Sequence, residues 1–236
     1  MKKIIGIAAA AVLIIAAVIW YINSNQQNDI AATKEEDLFA LGDSLTYGVG
    51  DESGAGYAEN LGKLLTENKQ GKVSVQNFGI PGQQTDGLLE QINRPDIEMQ
   101  LSDAEYFVIF IGTNDLIKSN GNDLQPLYDE RIQKGKEDYV NNLREIFKII
   151  REENPDAPIL FLGLYNPYPD SAEIEEVVTD WNDTSKDLVG DYEKIKFIST
   201  NDLFKEKSTE YFSDELHPNK KGYDLITQKI LEEYDF

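Results

Sequence analysis

The chain has 236 residues, of which 41% are hydrophobic and 10% aromatic, so it can bury the core of one sizeable domain and is not expected to be disordered. Its 43 acidic residues against 22 basic ones give a formal net charge of −21, which repels phosphate backbones and argues against nucleic acid as a partner. Cysteine is absent and the only histidine is His217. Disulfides, thiolate zinc sites and multi-histidine metal sites are therefore excluded, and any imidazole base must be His217.

The amino terminus predicts a membrane segment. Two lysines precede residues 4–22, a run of 19 uncharged, mainly apolar residues that would span roughly 28 Å as a helix, whereas the apolar part of a cleavable signal is usually about 7–15 residues long. No clear Ala-x-Ala cleavage site follows the run. We therefore expect residues 1–22 to be a single-pass anchor in the cell membrane with the rest of the chain outside, although secretion after signal cleavage remains open.

The remainder of the chain predicts a polar tether and one α/β domain. Residues 23–36 are polar, and residues 37–236 contain no second linker or internal repeat. Apolar residues at helical spacing separate short apolar runs that are typical of buried strands. These runs are residues 38–41, 73–78, 106–111, 159–164 and 195–198. The alternation predicts a central parallel sheet of about five strands with helices on both faces. Residues 118–129 are expected to form a loop beside the site, and a last helix should begin near Lys220.

Chemically informative residues follow the first three predicted strands and precede the last helix. In an open parallel sheet, ligands bind beyond the carboxyl ends of the strands. The segments concerned are Gly-Asp-Ser-Leu-Thr-Tyr-Gly at 42–48, Asn-Phe-Gly-Ile-Pro-Gly at 77–82, Gly-Thr-Asn-Asp at 112–115 and Asp-Glu-Leu-His-Pro at 214–218. We therefore expect Ser44, Gly82, Asn114, Asp214 and His217 to meet at one edge of the sheet.

These residue types are the ones that acyl transfer requires. A serine hydroxyl is a weak nucleophile and needs a base within hydrogen-bonding reach, for which only His217 qualifies. Asp214, three residues earlier, can orient the imidazole and stabilise its charged form. A tetrahedral intermediate also needs preorganised donors for its oxyanion. The candidate donors are the backbone amides of Ser44 and Gly82 and the side chain of Asn114.

The four segments resemble, in order and spacing, the sequence blocks of the SGNH hydrolases, also called GDSL esterases/lipases. The quoted residues are Gly-Asp-Ser-Leu at 42–45, Gly82, Gly-Thr-Asn-Asp at 112–115 and Asp214-x-x-His217-Pro218. The resemblance implies Ser44 as nucleophile, His217 as base, Asp214 as its partner, and an oxyanion hole made by Ser44, Gly82 and Asn114. It further implies a three-layer, flavodoxin-like fold with no metal and no cofactor. The chain does not depart from the pattern at these five positions.

Several of these residues also have a purely structural interpretation. Ser44 could be a helix N-cap and Asn114 could cap a turn. Asp43 and Asp115 are expected to accept hydrogen bonds from loop amides and not to act as catalytic acids. The side chains that follow the fourth strand could line the acyl or leaving-group pocket or could simply pack in a loop, and these alternatives stay open. They are Tyr165, Asn166 and Tyr168.

The function expected from the sequence is that of an extracytoplasmic serine esterase of the lipase/acylhydrolase type. It would cleave a small-molecule, lipid or glycan ester through an acyl-enzyme and would meet the membrane through residues 4–22. One alternative is a cell-wall polysaccharide or peptidoglycan O-acetylesterase, and another is a non-catalytic scaffold of the same fold. The sequence leaves open the acyl length, the alcohol and the oligomeric state.

Overall fold

The structure, a computed structural model, describes residues 35–69, 71–206 and 210–236. The predicted membrane segment at 4–22 and the tether as far as residue 34 lie outside this part of the chain. Within the described ranges, no helix combines the length and the apolar character that crossing a bilayer would require.

The centre of the domain is a five-stranded sheet in which all strands are parallel, as predicted. In chain order the strands are β1 (Glu36–Gly42), β2 (Val73–Asn77), β3 (Ala104–Phe110), β4 (Ile159–Leu162) and β5 (Ile195–Ile198), and their spatial order is β2-β1-β3-β4-β5. Glu36, at the end of the predicted tether, pairs with Val73 in the sheet. A polar residue is tolerated there because its carboxylate accepts a hydrogen bond from Lys69 Nζ at 2.7 Å.

Helices cover both faces of the sheet and complete three layers. The helices are α1 (Ser44–Tyr47), α2 (Gly56–Lys69), α3 (Thr85–Ile92), α4 (Pro95–Glu98), α5 (Thr113–Ser119), α6 (Asp129–Glu153), α7 (Ala172–Gly190) and α8 (Lys220–Glu233), with 3₁₀ turns at Leu101–Asp103 and Asn201–Phe204. Side chains alternate along β1: Leu38 and Ala40 join the core beneath α2 and α8, whereas Phe39 and Leu41 join the core beneath α3, α6 and α7. This burial on both faces explains the continuous apolar runs of the strands.

The strand order brings the informative segments together. Because β1 lies between β2 and β3, the segments that follow these three strands emerge side by side at the carboxyl edge of the sheet. The predicted loop at 118–129 is wrong at both ends, since Lys118 and Ser119 form the last turn of α5 and Asp129 is already the first residue of α6. The last helix begins at Lys220, as expected.

Candidate active site

The nucleophile candidate is held by a helix that another residue caps. Ser44 is the first residue of α1, and the N-cap is Asp43, whose Oδ1 accepts a hydrogen bond from the Leu45 backbone N–H at 2.9 Å. The interpretation of Ser44 as an N-cap is therefore wrong. Because the capping is done by its neighbour, the Ser44 hydroxyl is available for a contact across the sheet edge.

That contact is with the only imidazole of the chain. Ser44 Oγ lies 3.0 Å from His217 Nε2, although 173 residues separate them in sequence. On the other side of the ring, His217 Nδ1 lies 2.8 Å from Asp214 Oδ2. When Nδ1 carries its proton toward Asp214, Nε2 presents a lone pair to the serine hydroxyl. The structure thus brings together the three residues in the arrangement that activates a serine.

Asp214 is kept ionised by its own loop. Its Oδ1 accepts hydrogen bonds from the backbone N–H groups of Leu216 at 2.8 Å and His217 at 2.7 Å. Burial acts to raise the pKa of this carboxyl, but these bonds and the adjacent imidazole outweigh it and lower the pKa below its ordinary value. A charged carboxylate in this position stabilises an imidazolium during the reaction.

The loop that carries His217 is fastened to the rest of the domain by two contacts that sequence reasoning did not identify. Gly50 has a φ of +96°, and a Cβ there would come within 2.4 Å of the Pro218 carbonyl oxygen. Only glycine allows this close approach in that conformation. The Tyr165 hydroxyl donates to the Leu216 carbonyl at 2.5 Å, next to His217. The close approach at Pro218 and the hydrogen bond at Leu216 restrict the backbone on the two sides of His217.

The second predicted segment supplies a tight turn with an available amide. Gln83 N–H donates to the Ile80 carbonyl at 3.1 Å, with Pro81 at the second position and Gly82, at φ +79°, at the third. This is the pattern of a type II turn, which needs glycine at that position. Within the described part of the chain, the N–H groups of Gly82 and Ser44 donate to no protein acceptor. Both are therefore available for an oxyanion.

The third segment supplies a side-chain amide that already donates hydrogen bonds within the protein. Asn114 is the second residue of α5, whose N-cap is Gly112, so Asn114 does not cap the helix. Its Nδ2 donates to the Gln83 carbonyl at 3.0 Å and to Asp43 Oδ2 at 3.1 Å. These bonds hold the amide between the nucleophile loop and the turn at 80–83. An oxyanion would share one of its two hydrogens with these acceptors.

Two buried carboxyl groups accept hydrogen bonds from the segments around the proposed oxyanion hole. Asp43 is 1% exposed, and burial raises its pKa to about 7 despite the bond from Leu45. Asp115, 3% exposed, accepts from the Thr85 backbone N–H at 3.1 Å and from its hydroxyl at 2.5 Å, and burial raises its pKa to about 6. Both accept loop amides, as predicted. Among the described residues, no cluster of carboxylates and histidine is arranged to hold a metal ion.

The three residues after β4 behave differently from one another. Tyr165 is 3% exposed and packs against Phe204 and Phe212, and Asn166 is 2% exposed and donates to Glu175 Oε2 at 2.9 Å. Packing therefore describes these two side chains better than pocket lining. The hydroxyl of Tyr168 lies 3.4 Å from a carboxylate oxygen of Glu215, two residues before His217, so Tyr168 remains a candidate pocket residue.

Comparisons with known proteins agree with this geometry. The model of the GDSL-like Lipase/Acylhydrolase family matches residues 40–225. The chain is 32% identical to the uncharacterized protein YpmR of Bacillus subtilis (strain 168), over 97% of this chain and 94% of that protein. It is 30% identical to the spore germination lipase LipC of Bacillus licheniformis, over 81% of this chain and 92% of that protein.

Solved structures give the same result for the fold. The lipase Lip_vut3 from a goat rumen metagenome superposes with a TM-score of 0.76 and 28% identity, covering 84% of this chain and 96% of that one. The acetylxylan esterase Axe2 of Geobacillus stearothermophilus superposes with a TM-score of 0.67, over 87% of this chain and 97% of that one. At 20% identity, the likeness to Axe2 shows the fold alone.

Proposed function

Because the chain belongs to the family of GDSL-like lipases and acylhydrolases, and is thus a carboxylic ester hydrolase, we propose that it works through an acyl-enzyme formed on Ser44. The observation that carries the proposal is the 3.0 Å separation between Ser44 Oγ and His217 Nε2, with Asp214 Oδ2 2.8 Å from the other ring nitrogen. A non-catalytic scaffold would have no need to keep a serine, an imidazole and an ionised carboxylate in this hydrogen-bonded arrangement.

The reaction follows from these positions. Ser44 Oγ attacks the ester carbonyl while His217 Nε2 takes its proton, and Asp214 stabilises the resulting imidazolium. The oxyanion that forms accepts hydrogen bonds from the Ser44 and Gly82 backbone amides and from Asn114 Nδ2. The imidazolium then protonates the departing alcohol. In the second half, His217 deprotonates a water molecule that attacks the acyl carbonyl. The bond between the acyl group and Ser44 Oγ then breaks, Oγ takes the proton back from the imidazolium, and the carboxylic acid leaves.

The surface beside the nucleophile favours an uncharged, modestly apolar ester. Tyr47 and Ile80 are 57% and 43% exposed, and they come from adjoining segments, the end of α1 and the turn at 80–83, since a Cβ on Gly79 would lie 2.3 Å from the Tyr47 backbone nitrogen. Two exposed apolar side chains on the segments that carry Ser44 and Gly82 suit a short acyl chain or an apolar alcohol. The net charge of −21 disfavours the approach of anionic substrates. The names of the relatives LipC and Lip_vut3, both lipases, support an ester of this kind.

We further propose that the hydrolase acts outside the cytoplasm, tethered by residues 4–22. The support is the length of the uncharged run and the two lysines before it. Expression of the full chain followed by membrane fractionation and external protease treatment tests this. Protein recovered with the membranes and degraded from outside agrees with the proposal. Recovery in the cytosolic fraction, protected from external protease, contradicts it.

The catalytic proposal is tested with the full chain in detergent. With p-nitrophenyl esters from acetate to palmitate as substrates, Ser44→Ala should lower kcat by at least about a thousandfold, and a fluorophosphonate probe should label Ser44 in the unaltered protein. Undiminished turnover by Ser44→Ala would refute the mechanism, and an unreactive serine would favour the scaffold.

The acyl series also separates the substrate alternatives. A preference for acetate and butyrate over palmitate agrees with the short-acyl proposal. Release of acetate from acetylated polysaccharide or peptidoglycan, with little turnover of p-nitrophenyl esters, would instead favour the cell-wall O-acetylesterase.

A further inference from the structure

Lys118 contacts the proposed oxyanion hole, although it lies outside the four sequence segments from which the site was predicted. Its Nζ lies 2.7 Å from the carbonyl oxygen of Gly82 and donates to it. Within the described part of the chain, this is the only hydrogen bond that Gly82 makes. The lysine side chain is exposed, and it reaches back over the turn from the last turn of α5.

Apart from the turn at 80–83, little else holds Gly82 in place. The residue is exposed, and a Cβ built on it would meet no atom within 4 Å, so no packing restrains it. Glycine also accommodates several backbone conformations at low cost. The Gly82 carbonyl shares its peptide plane with the Gln83 N–H, which donates to the Ile80 carbonyl, so the bond from Lys118 and this turn bond hold the same plane from two sides. Before Gly82, the ring of Pro81 limits the backbone by fixing φ. With the chain held on both sides, Gly82 has fewer conformations available, and the direction of its N–H is restricted.

The same short helix holds the other side-chain donor. Asn114 and Lys118 are four residues apart on α5, so they project from one face of the helix. Asn114 holds the carbonyl of Gln83 at 3.0 Å while Lys118 holds that of Gly82. Two consecutive carbonyls of the turn are thus bound to two successive turns of α5. The bonds from Thr85 to Asp115 fasten the first residue of α3, which follows this turn, to the same helix.

We propose that Lys118 is a positioning residue for the oxyanion hole: by holding the Gly82 carbonyl, it keeps the Gly82 N–H in register with the Asn114 amide. The lysine acts through Gly82 and does not touch the ester. The proposal rests on the proposed function of Ser44, since it assigns a role in the same reaction. An alignment of donors acts on the tetrahedral intermediate more than on the bound ester, so kcat should be more sensitive than KM.

The test uses three variants of the full chain. Lys118→Met keeps an unbranched side chain of similar length and removes the donor, whereas Lys118→Arg keeps a cationic donor. Lys186→Met is the matched control, because Lys186 is exposed on α7 and has no ion pair or hydrogen bond in the described part of the chain. We expect Lys118→Met to lower kcat by about fivefold to tenfold with KM within twofold, as for the loss of one hydrogen bond. Lys118→Arg should recover most of this loss, and Lys186→Met should change neither constant.

The inhibition constant of an arylboronic acid is a second measurement, and it would not change if Lys118 had a merely structural role. Its adduct with Ser44 is tetrahedral and places an oxygen where the oxyanion forms, so its Ki should rise in Lys118→Met by the factor lost in kcat/KM. The midpoint of thermal unfolding should stay within about 2 °C of the unaltered protein, because the side chain is exposed.

Two results would overturn the inference. One is kinetics of Lys118→Met equal to those of Lys186→Met. The other is a loss confined to KM with unchanged boronate affinity. Either result, in a protein whose Ser44→Ala variant is inactive, would remove the role of Lys118 and leave the acyl-enzyme intact. Full activity of Ser44→Ala would remove both.

Discussion

Two aspartates of the site differ in environment and, as a result, in their chemical role. Asp43 lies beside the nucleophile, is 1% exposed and has a pKa raised to about 7 by burial. Asp214 lies beside the base, its side chain is 53% exposed, and backbone hydrogen bonds lower its pKa. The first builds the loop on which Ser44 and Asn114 sit, whereas the second supplies the charge that the reaction uses. Burial and the number of hydrogen bonds, and not the residue type, decide between these roles.

The largest expected effect is that of removing the charge of Asp214. Asp214→Asn should lower kcat by about three to four orders of magnitude, because an amide cannot stabilise the imidazolium and can favour the wrong tautomer of His217. The thermal midpoint should shift by only a few degrees, since the Asn oxygen can still accept from the Leu216 and His217 N–H groups. Steady-state kinetics and calorimetry measure both. Retention of more than a tenth of the activity would show that Asp214 is not the partner of the base.

Replacing Asp43 should have the opposite balance of effects, with a smaller loss of activity and a larger loss of stability. In Asp43→Asn, an NH₂ group must face either the Leu45 N–H or the Asn114 amide. One hydrogen bond at a buried position is then lost, at a cost of about 1–3 kcal/mol in the free energy of unfolding at pH 5, where folded Asp43 is protonated and the substitution removes no buried charge. The shifted Asn114 should lower kcat by about tenfold. Chemical denaturation gives the first quantity, and a variant as stable as the unaltered protein would contradict this account.

The same aspartate predicts how stability depends on pH. The ordinary pKa of an aspartate is 3.8 and that of folded Asp43 is about 7, so between these values the folded protein binds a proton that the unfolded chain has released. Stability should therefore fall as pH rises from about 4 to 7, and Asp115, with a pKa of about 6, acts in the same direction. The net charge of −21 also destabilises the protein at high pH. The free energy of unfolding of Asp43→Asn should fall less steeply with pH over this range, and the difference between the two slopes is the contribution of Asp43. An unchanged slope in the variant would contradict this assignment.

The smallest expected effect concerns the fastening of the His217 loop. Tyr165→Phe keeps the buried ring and removes the hydroxyl that donates to the Leu216 carbonyl. We expect a loss of about 1 kcal/mol in stability and of about twofold to fivefold in kcat, because the backbone beside His217 loses one anchor. Kinetics and denaturation of this variant measure both, with Tyr106→Phe as the control, because the Tyr106 hydroxyl accepts a hydrogen bond from Lys69 Nζ near the amino end of β3, at the edge of the sheet opposite the site. A drop in kcat no larger than that of the control would show that the loop is fixed by other contacts.

The sequence predicted the strands and the site geometry because both follow from strong local rules. Continuous apolar runs mark strands buried on both faces, and parallel strands bring their carboxyl ends to one edge, where Ser44 and His217 meet. It did not predict the contact between Lys118 and Gly82, because an exposed lysine has many possible partners and the choice depends on the path of a turn 36 residues away. It left Tyr165 undecided because the residue lies beyond the end of β4, where the alternation of a strand no longer fixes the direction of a side chain.

One consequence follows from the way the last helix packs against the start of the domain. The Tyr223 hydroxyl donates to the Val49 carbonyl at 2.7 Å, and Thr227 donates to the Tyr57 carbonyl at 3.3 Å, so α8 is fastened to the segment that follows the nucleophile. A polypeptide interrupted before residue 214 would carry the serine and every proposed oxyanion donor but no base. Ester turnover can therefore begin only after the final stretch of polypeptide has been made and has docked. The onset of turnover thus indicates that folding is complete.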